Sequence, residues 1–221
     1  MEHNVYGRSL TPDEIAAGAH RDFVGGLWDE VGTLQFEFMR ATGLQPAHRL
    51  LDMGCGALRG GLHFIRYLDA GHYCGMDINA SLLDAGRCEL VAAGLADKEP
   101  QLLDDSNFAA HRFGQQFDAA IAVSVFSHLP LNHIVRCLTE VGRVLAPGAS
   151  FYASFFAAPA SAWLEPLRHS PGEIVTRYDA DPFHYGLAEM EWAAGLAGMR
   201  VRLVGDWSHP RSQQMLAFSL R

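Results

Sequence analysis

A chain of 221 residues, 49% of them apolar, can bury one sizeable core and is short for two independent ones. With 25 acidic against 17 basic side chains it carries a formal charge of −8 and no clustered basic patch, which argues against nucleic acid as the partner. No run approaches the roughly 20 continuous apolar residues that a membrane span needs. The opening MEHNVYGRSLTPDE lacks the basic-then-apolar pattern of a secretion signal, so the expected location is the cytoplasm. Cys55, Cys74, Cys88 and Cys137 form no CxxC pair, so free thiols are expected and no metal site.

In chain order, the first element is a helix announced by Thr11 as cap, Pro12 at the first helical position and Glu14 closing a capping box. Leu27, Val31, Leu34 and Phe38 recur at helical spacing and predict a second helix over about Phe23 to Thr42, ended by Gly43. From His48 onward short apolar runs alternate with helical segments. Arg49–Asp52 reads as a strand, Gly60–Leu68 as a helix, and His72–Asp77 as a second strand. Asn79 can cap a helix ending near Gly94, and Gln101–Asp104 is a short third strand. Phe117–Val123 is a fourth strand, and Leu131, Ile134, Val135, Leu138, Val141 and Leu145 form one helical face. Pro147-Gly148 predicts a turn before a fifth strand, Ser150–Phe156. Residues 157–185 show no clear periodicity and are expected to form a substrate lid. Gly186–Ala197 looks helical, and Arg200–Val204 and Gln214–Leu220 are the last two strands, antiparallel because the loop joining them is short. The sixth strand is expected to run parallel to the first five.

Alternation of strands and helices predicts an α/β fold: a doubly wound, seven-stranded, mostly parallel sheet with an antiparallel final strand. A helical cap over residues 1–47 precedes the main domain, 48–221.

The strongest local signal is Leu50-Leu51-Asp52-Met53-Gly54-Cys55-Gly56-Ala57-Leu58-Arg59-Gly60-Gly61, a buried strand entering a glycine turn and then a helix. A dinucleotide site wants GxGxxG, and Arg59 occupies the third glycine position. Asp52 ahead of the turn would repel a pyrophosphate and suits a cationic ligand. The order of elements and the sequence Asp52-Met53-Gly54-Cys55-Gly56 resemble the class I methyltransferases and their first motif, DxGxG.

The resemblance spans roughly Leu50 to Leu220 and implies S-adenosylmethionine as cofactor. It places Asp52, Gly54, Cys55 and Gly56 at the methionine end, with Arg59 available to the carboxylate. Asp77, which ends the second strand, would accept the ribose hydroxyls, with Ile78 beside it; a helix-capping role is the plain alternative. After the third strand, Asp105 with Asn107 and Phe108 would hold the adenine, Asp104 being the alternative acid. Phe117-Asp118 through Leu129-Pro130 resembles the fourth motif and puts Ser124 over the methionine end. The Asn-Pro-Pro-Tyr of base-methylating enzymes is absent there. So are the paired glutamates of arginine methyltransferases and the clustered carboxylates of metal-dependent phenol methyltransferases.

His128 is the candidate base, since imidazole titrates near neutral pH; packing of its loop is the alternative. The loop Gly205–Gln213 resembles a His-Pro-Arg-x-Gln ending of some bacterial methyltransferases, and His209 and Arg211 are candidates for an anionic group on the substrate. His184 and Tyr185 are further substrate candidates. The expected activity is methylation of an oxygen or nitrogen of a small molecule. A non-catalytic S-adenosylmethionine-binding regulator is the second reading, and a nicotinamide oxidoreductase the third.

Overall fold

The computed structural model describes residues 7–221; the first six residues of the opening segment and of the expected 1–47 cap lie outside the described residues. The chain forms two compact units, Met1–Ser106 and Asn107–Arg221.

In the first unit, α1 (Pro12–Ala16), α2 (Ala19–Phe23) and α3 (Trp28–Ala41) lead into the first strand, β1 (Leu50–Met53). The capping box forms as the sequence predicts: Glu14 N–H donates to Thr11 Oγ1 at 3.2 Å and Thr11 N–H to Glu14 Oε2 at 2.8 Å. The single helix expected from Phe23 to Thr42 is broken. Gly25 and Gly26 have φ of 96° and 62°, and Leu27 follows in the left-handed region, so the chain turns before α3 starts. β1, β2 (Tyr73–Asp77) and β3 (Gln101–Asp104) are parallel, with α4 (Gly61–Tyr67) and α5 (Ala80–Ala92) as crossovers. β1 is buried along its whole length, as expected for a parallel strand covered on both faces. Leu10, Ala57, Leu82 and Ala85 form an apolar cluster over which Ile15, Phe23, Val24 and Trp28 pack, so the N-terminal helices share a core with the glycine turn.

In the second unit, β4 (Phe117–Ala122) and β5 (Leu145–Phe155) are parallel, joined by α6 (Leu131–Val144). α6 buries Ile134, Cys137, Leu138, Val141 and Val144, the face read from the sequence. Pro147-Gly148 makes no separate turn. It lies within β5, where two residues along β4 (Phe117 to Ala119) span five along β5 (Leu145 to Ser150). The expected turn is therefore a bulge that keeps the strand continuous. β9 (Gln214–Leu220) pairs antiparallel with both β5 and β8 (Met199–Asp206), so β8 has the same sense as β5. α7 (Leu187–Leu196) precedes this pair. Phe126, Phe151 and Phe218 meet at ring-centroid distances of 5.9–6.1 Å in its core.

Within residues 157–185, where no element is predicted, β6 (Leu167–His169) and β7 (Ile174–Thr176) form a small antiparallel hairpin. The seven main strands have the order β3-β2-β1-β4-β5-β9-β8, mostly parallel with β9 reversed. This is the predicted fold class.

One buried cluster fastens α2 to α5. Glu89 Oε1 accepts from Arg21 Nε and pairs with His20 Nε2, each at 2.8 Å, and its Oε2 accepts from Arg21 Nη2 at 2.8 Å. The Arg21 hydrogen bonds hold the Glu89 carboxyl below its ordinary value against the opposing effect of burial. A lowered folded-state value gives stability that is present above the unfolded value of 4.5 and lost as pH falls through the folded one. Because Arg21 is half-exposed, Glu89→Gln should cost only about 1–2 kcal/mol in urea denaturation at pH 7. That difference should shrink at pH 3.5; an equal cost at both pH values would show that the charge on Glu89 contributes nothing.

Candidate functional site

The glycine turn in the first unit is built on a short supply of hydrogen-bond partners. β1 ends at Met53, and the amides of Gly54 and Cys55 both donate to the Met76 carbonyl, at 2.8 and 3.0 Å. Reaching that geometry needs positive φ at Gly54 (71°) and Gly56 (52°), which L side chains adopt only with strain. The Gly56 amide then donates to Asp77 Oδ2 at 2.8 Å, and the Asn79 amide to Oδ1 at 2.9 Å. Both Asp77 oxygens thus accept backbone amides. Burial holds the Asp77 carboxyl above its ordinary value, against the lowering effect of the amides of Asn79, Gly56 and Ile78. Ile78 is 52% exposed beside it, an apolar surface next to a fixed carboxylate. The Asn79 side chain caps α5, accepting from the amides of Ser81 and Leu82. Asp77 itself is therefore not the cap.

Asp52 is nearly inaccessible, at 4% exposure, and Tyr73 Oη donates to its Oδ2 at 2.7 Å. A side chain at position 61 would put its Cβ 2.6 Å from that hydroxyl, so Gly61 makes the Tyr73–Asp52 contact possible. Burial pushes the Asp52 carboxyl up to about 7, with the Tyr73 hydrogen bond pulling the other way. The Cys55 thiol is buried and pushed well up for the same reason, which makes it a packing group. Arg59 Nη1 donates to the carbonyls of Val24 (3.1 Å) and Gly26 (2.9 Å), tying the break before α3 to the turn. The Asp105 amide donates to the Asp77 carbonyl at 3.1 Å, and Asp104 ends β3 on the surface.

In the second unit, Asn107 is exposed and Phe108 half-buried with φ of 59°. Ser124 also has positive φ, 60°, just beyond β4. Its amide donates to Ser154 Oγ at 2.7 Å, Ser154 Oγ to Gln213 Oε1 at 2.5 Å, and Gln213 Nε2 to Ser124 Oγ at 2.9 Å. This closed ring of bonds joins the ends of β4 and β5 to the residue before β9, and Ser154 and Gln213 are buried. Trp207 Nε1 donates to the Gln213 carbonyl, and His209 stacks on Trp207 at 5.3 Å. His209 is 5% exposed and its Nδ1 accepts the Arg211 amide at 3.2 Å, so its ring shapes the loop from inside; Arg211 is half-buried.

The expected lid lies along the loop after β4. The Phe183 amide donates to the Ser127 carbonyl at 2.7 Å, and Tyr185 Oη to the Leu129 carbonyl at 2.6 Å. His128 Nδ1 meets Asp181 Oδ1 at 2.5 Å, with the two side chains 20% and 16% exposed. His184 is 2% exposed; its Nε2 bonds the Trp163 carbonyl at 2.7 Å and its Nδ1 bonds Thr176 Oγ1 at 2.8 Å. Thr176 Oγ1 in turn bonds His169 Nε2, so these three side chains hold β6, β7 and the stretch after them together. The β6–β7 turn is clipped to the C-terminal loop by Ser212 Oγ, which donates to the Ser170 carbonyl.

Sequence reading missed Tyr73, Ser154 and Asp181. The first two occupy ordinary strand positions, and Asp181 lies in the segment without periodicity. Gln213 was visible only as part of the loop sequence.

Residues 51–151 match a family described as a methyltransferase domain. Among solved structures, the chain is similar to magnesium protoporphyrin IX methyltransferase from Synechocystis with bound S-adenosylmethionine. The identity is 13%, the TM-score 0.62, and 99% of this chain and 88% of that one are covered. A methyltransferase from Clostridium acetobutylicum aligns at 11% identity and a TM-score of 0.66, over 94% and 98%. The glycopeptide N-methyltransferase MtfA aligns at 15% and 0.63, over 86% and 94%. At these identities the structures show a shared fold.

The Tyr73–Asp52 contact makes a pH-dependent prediction. A folded-state value near 7, above the unfolded 3.8, gives stability that is full below 3.8 and lost as pH rises to about 7. Ionised Asp52 needs the Tyr73 hydroxyl more than protonated Asp52 does. Tyr73→Phe should therefore cost roughly 1–3 kcal/mol at pH 8 and clearly less at pH 5 in chemical denaturation. A larger cost at pH 5 would mean that Tyr73 stabilises the protonated acid instead.

Proposed function

We propose that this chain is an S-adenosylmethionine-dependent methyltransferase that moves the methyl group to an oxygen or nitrogen of a small-molecule acceptor, with His128 as the base. Among the described residues no helix is long and apolar enough to cross a membrane.

The first unit fits the cofactor. Asp77 is held by backbone amides and is itself only half-buried, where hydroxyl donors can reach it, and exposed Ile78 offers an apolar face for a planar ring. The buried Asp52 carboxyl suits a positively charged amino acid end. Gly54 and Gly56 keep the backbone bare at the turn, and Asp105, Asn107, Phe108 and Ser124 are assigned to the same cofactor by resemblance. Arg59 is assigned to the carboxylate by resemblance alone, and its Nη1 is engaged with the carbonyls of Val24 and Gly26.

S-adenosylmethionine supplies, when bound, a methyl group on a positively charged sulfur, already a strong electrophile. The protein's task is to align the nucleophile and remove its proton. The observation that carries the acceptor reading is the His128–Asp181 pair. A carboxylate on Nδ1 fixes the orientation of the ring, as a histidine base requires. Such a base is useful when the nucleophile is a hydroxyl or a protonated amine, and superfluous for a thioether or another nucleophile lacking a proton. Asp181 acts through His128 and is a positioning residue.

Calorimetric titration with S-adenosylhomocysteine should give binding in the micromolar range. Asp77→Ala should weaken it by about 1–3 kcal/mol, because the ribose hydroxyls lose their acceptor. An unchanged dissociation constant would remove Asp77 from the ribose.

Once an acceptor is in hand, His128→Ala should lower kcat by roughly 10²-fold or more with S-adenosylhomocysteine affinity unchanged. Asp181→Asn should lower kcat less, leave KM near the parent value and alter the pH–rate profile. Full turnover in His128→Ala from pH 6 to 9 would exclude a base at this position.

A further inference from the structure

The stretch that supplies Asp181 also walls a cavity of about 330 Å³. Two aromatic pairs line it: Trp163 edge-on to Tyr178 at 5.0 Å, and Phe183 stacked with Tyr185 at 6.1 Å. Its only charged lining groups are the carboxylates of Asp179 and Glu189, and neither forms an ion pair among the described residues. Glu189 Oε2 folds back over Gly186, where an added Cβ would lie 2.5 Å away. The carboxylate therefore rests at the cavity's edge because position 186 lacks a side chain. His184 lines the cavity with both ring nitrogens bonded inside the protein, and the Tyr185 hydroxyl is spent on Leu129. What remains in the lining is aromatic surface, the apolar side chains of Pro130 and Leu131, and the two carboxylates.

Aromatic faces attract cations through the ring quadrupole, and nearby carboxylates add to that attraction. An anionic substrate group would meet two like charges here. We propose that this cavity is a substrate subsite for an ammonium group, so that the acceptor molecule is a cationic amine or quaternary ammonium compound. An ammonium held between carboxylates keeps its charge and has no lone pair to give. The cavity therefore holds a recognition handle, and the methylated atom is a different one, presented to His128. The spacing favours this division of roles. Asp179 is two residues before the Asp181 that orients His128, and the amide of Phe183 bonds the carbonyl of Ser127, next to His128. Handle and base are thus set by one continuous stretch of chain. The overall charge of −8 would draw cations toward the protein and repel anions. This assignment rests on the methyltransferase reading and replaces the anionic acceptor that His209 and Arg211 suggest from sequence alone.

The test uses choline as the probe cation and 3,3-dimethylbutan-1-ol, its uncharged isostere, as the control. Both are titrated calorimetrically into the full chain, after S-adenosylhomocysteine has been titrated into the same preparation. The expected result is choline binding with the isostere at least about tenfold weaker. The double variant Asp179→Asn/Glu189→Gln and, separately, Trp163→Ala should each weaken choline by roughly tenfold while leaving S-adenosylhomocysteine affinity unchanged. Both carboxylate changes are nearly isosteric, so the fold survives them even if Trp163→Ala proves unstable. Equal affinity for choline and the isostere, no choline binding, or full choline binding in the double variant would overturn the proposal. If S-adenosylhomocysteine binds in those cases, the cavity assignment alone fails. If it does not bind at all, the methyltransferase reading fails first.

Discussion

The Asp77 carboxylate accepting the Gly56 amide is the contact on which the first unit's site depends. It joins the end of β2 to the turn after β1, and through the Asn79 amide it also fixes the start of α5. Two strands and a helix are thereby set by one side chain. The cost is a buried charge whose solvation by water is lost, offset by the backbone amides aimed at it. The arrangement presents oxygen acceptors at a fixed place with little left to reorganise. That is what recognition of a pair of vicinal hydroxyls requires.

Asp52 is buried and Asp77 half-buried, and their environments differ. Asp77 meets backbone N–H groups, whereas Asp52 meets one tyrosine hydroxyl in an apolar setting and is pushed up to about 7. A cation arriving near Asp52 would favour its ionised form. Gly61 is part of this electrostatic design although it carries no charge, since a side chain there would occupy the space of the Tyr73 hydroxyl.

In the second unit, order is imposed by polar contacts between segments far apart in sequence. The Ser124–Ser154–Gln213 ring holds a residue with positive φ in place at the end of β4. The segment 177–185 is laid along the loop after β4 by the Phe183 amide, the Tyr185 hydroxyl and the Asp181 carboxylate. Removing any one of these would loosen the loop that carries His128. The histidines at 169 and 184 serve the same purpose, with ring nitrogens committed to Thr176 and a backbone carbonyl.

Much of this was legible from sequence because it is local. Strand and helix periodicity, the capping box at Thr11, the cap at Asn79 and the glycine turn at 54–56 each depend on residues within a few positions of one another. The fold class follows from the order of those elements. Tertiary structure alone decided the rest. The helix expected across Phe23–Thr42 broke at Gly25-Gly26, where neighbouring segments take up the freed ends: Arg59 bonds the carbonyls of Val24 and Gly26. Pro147-Gly148 became a bulge because β5 continues alongside β4 on both sides of it. Tyr73 found Asp52, Asp181 found His128, and Gln213 found Ser124 across separations of 21, 53 and 89 residues. No period or spacing in the chain encodes such pairings, because they exist only once packing has brought the elements together.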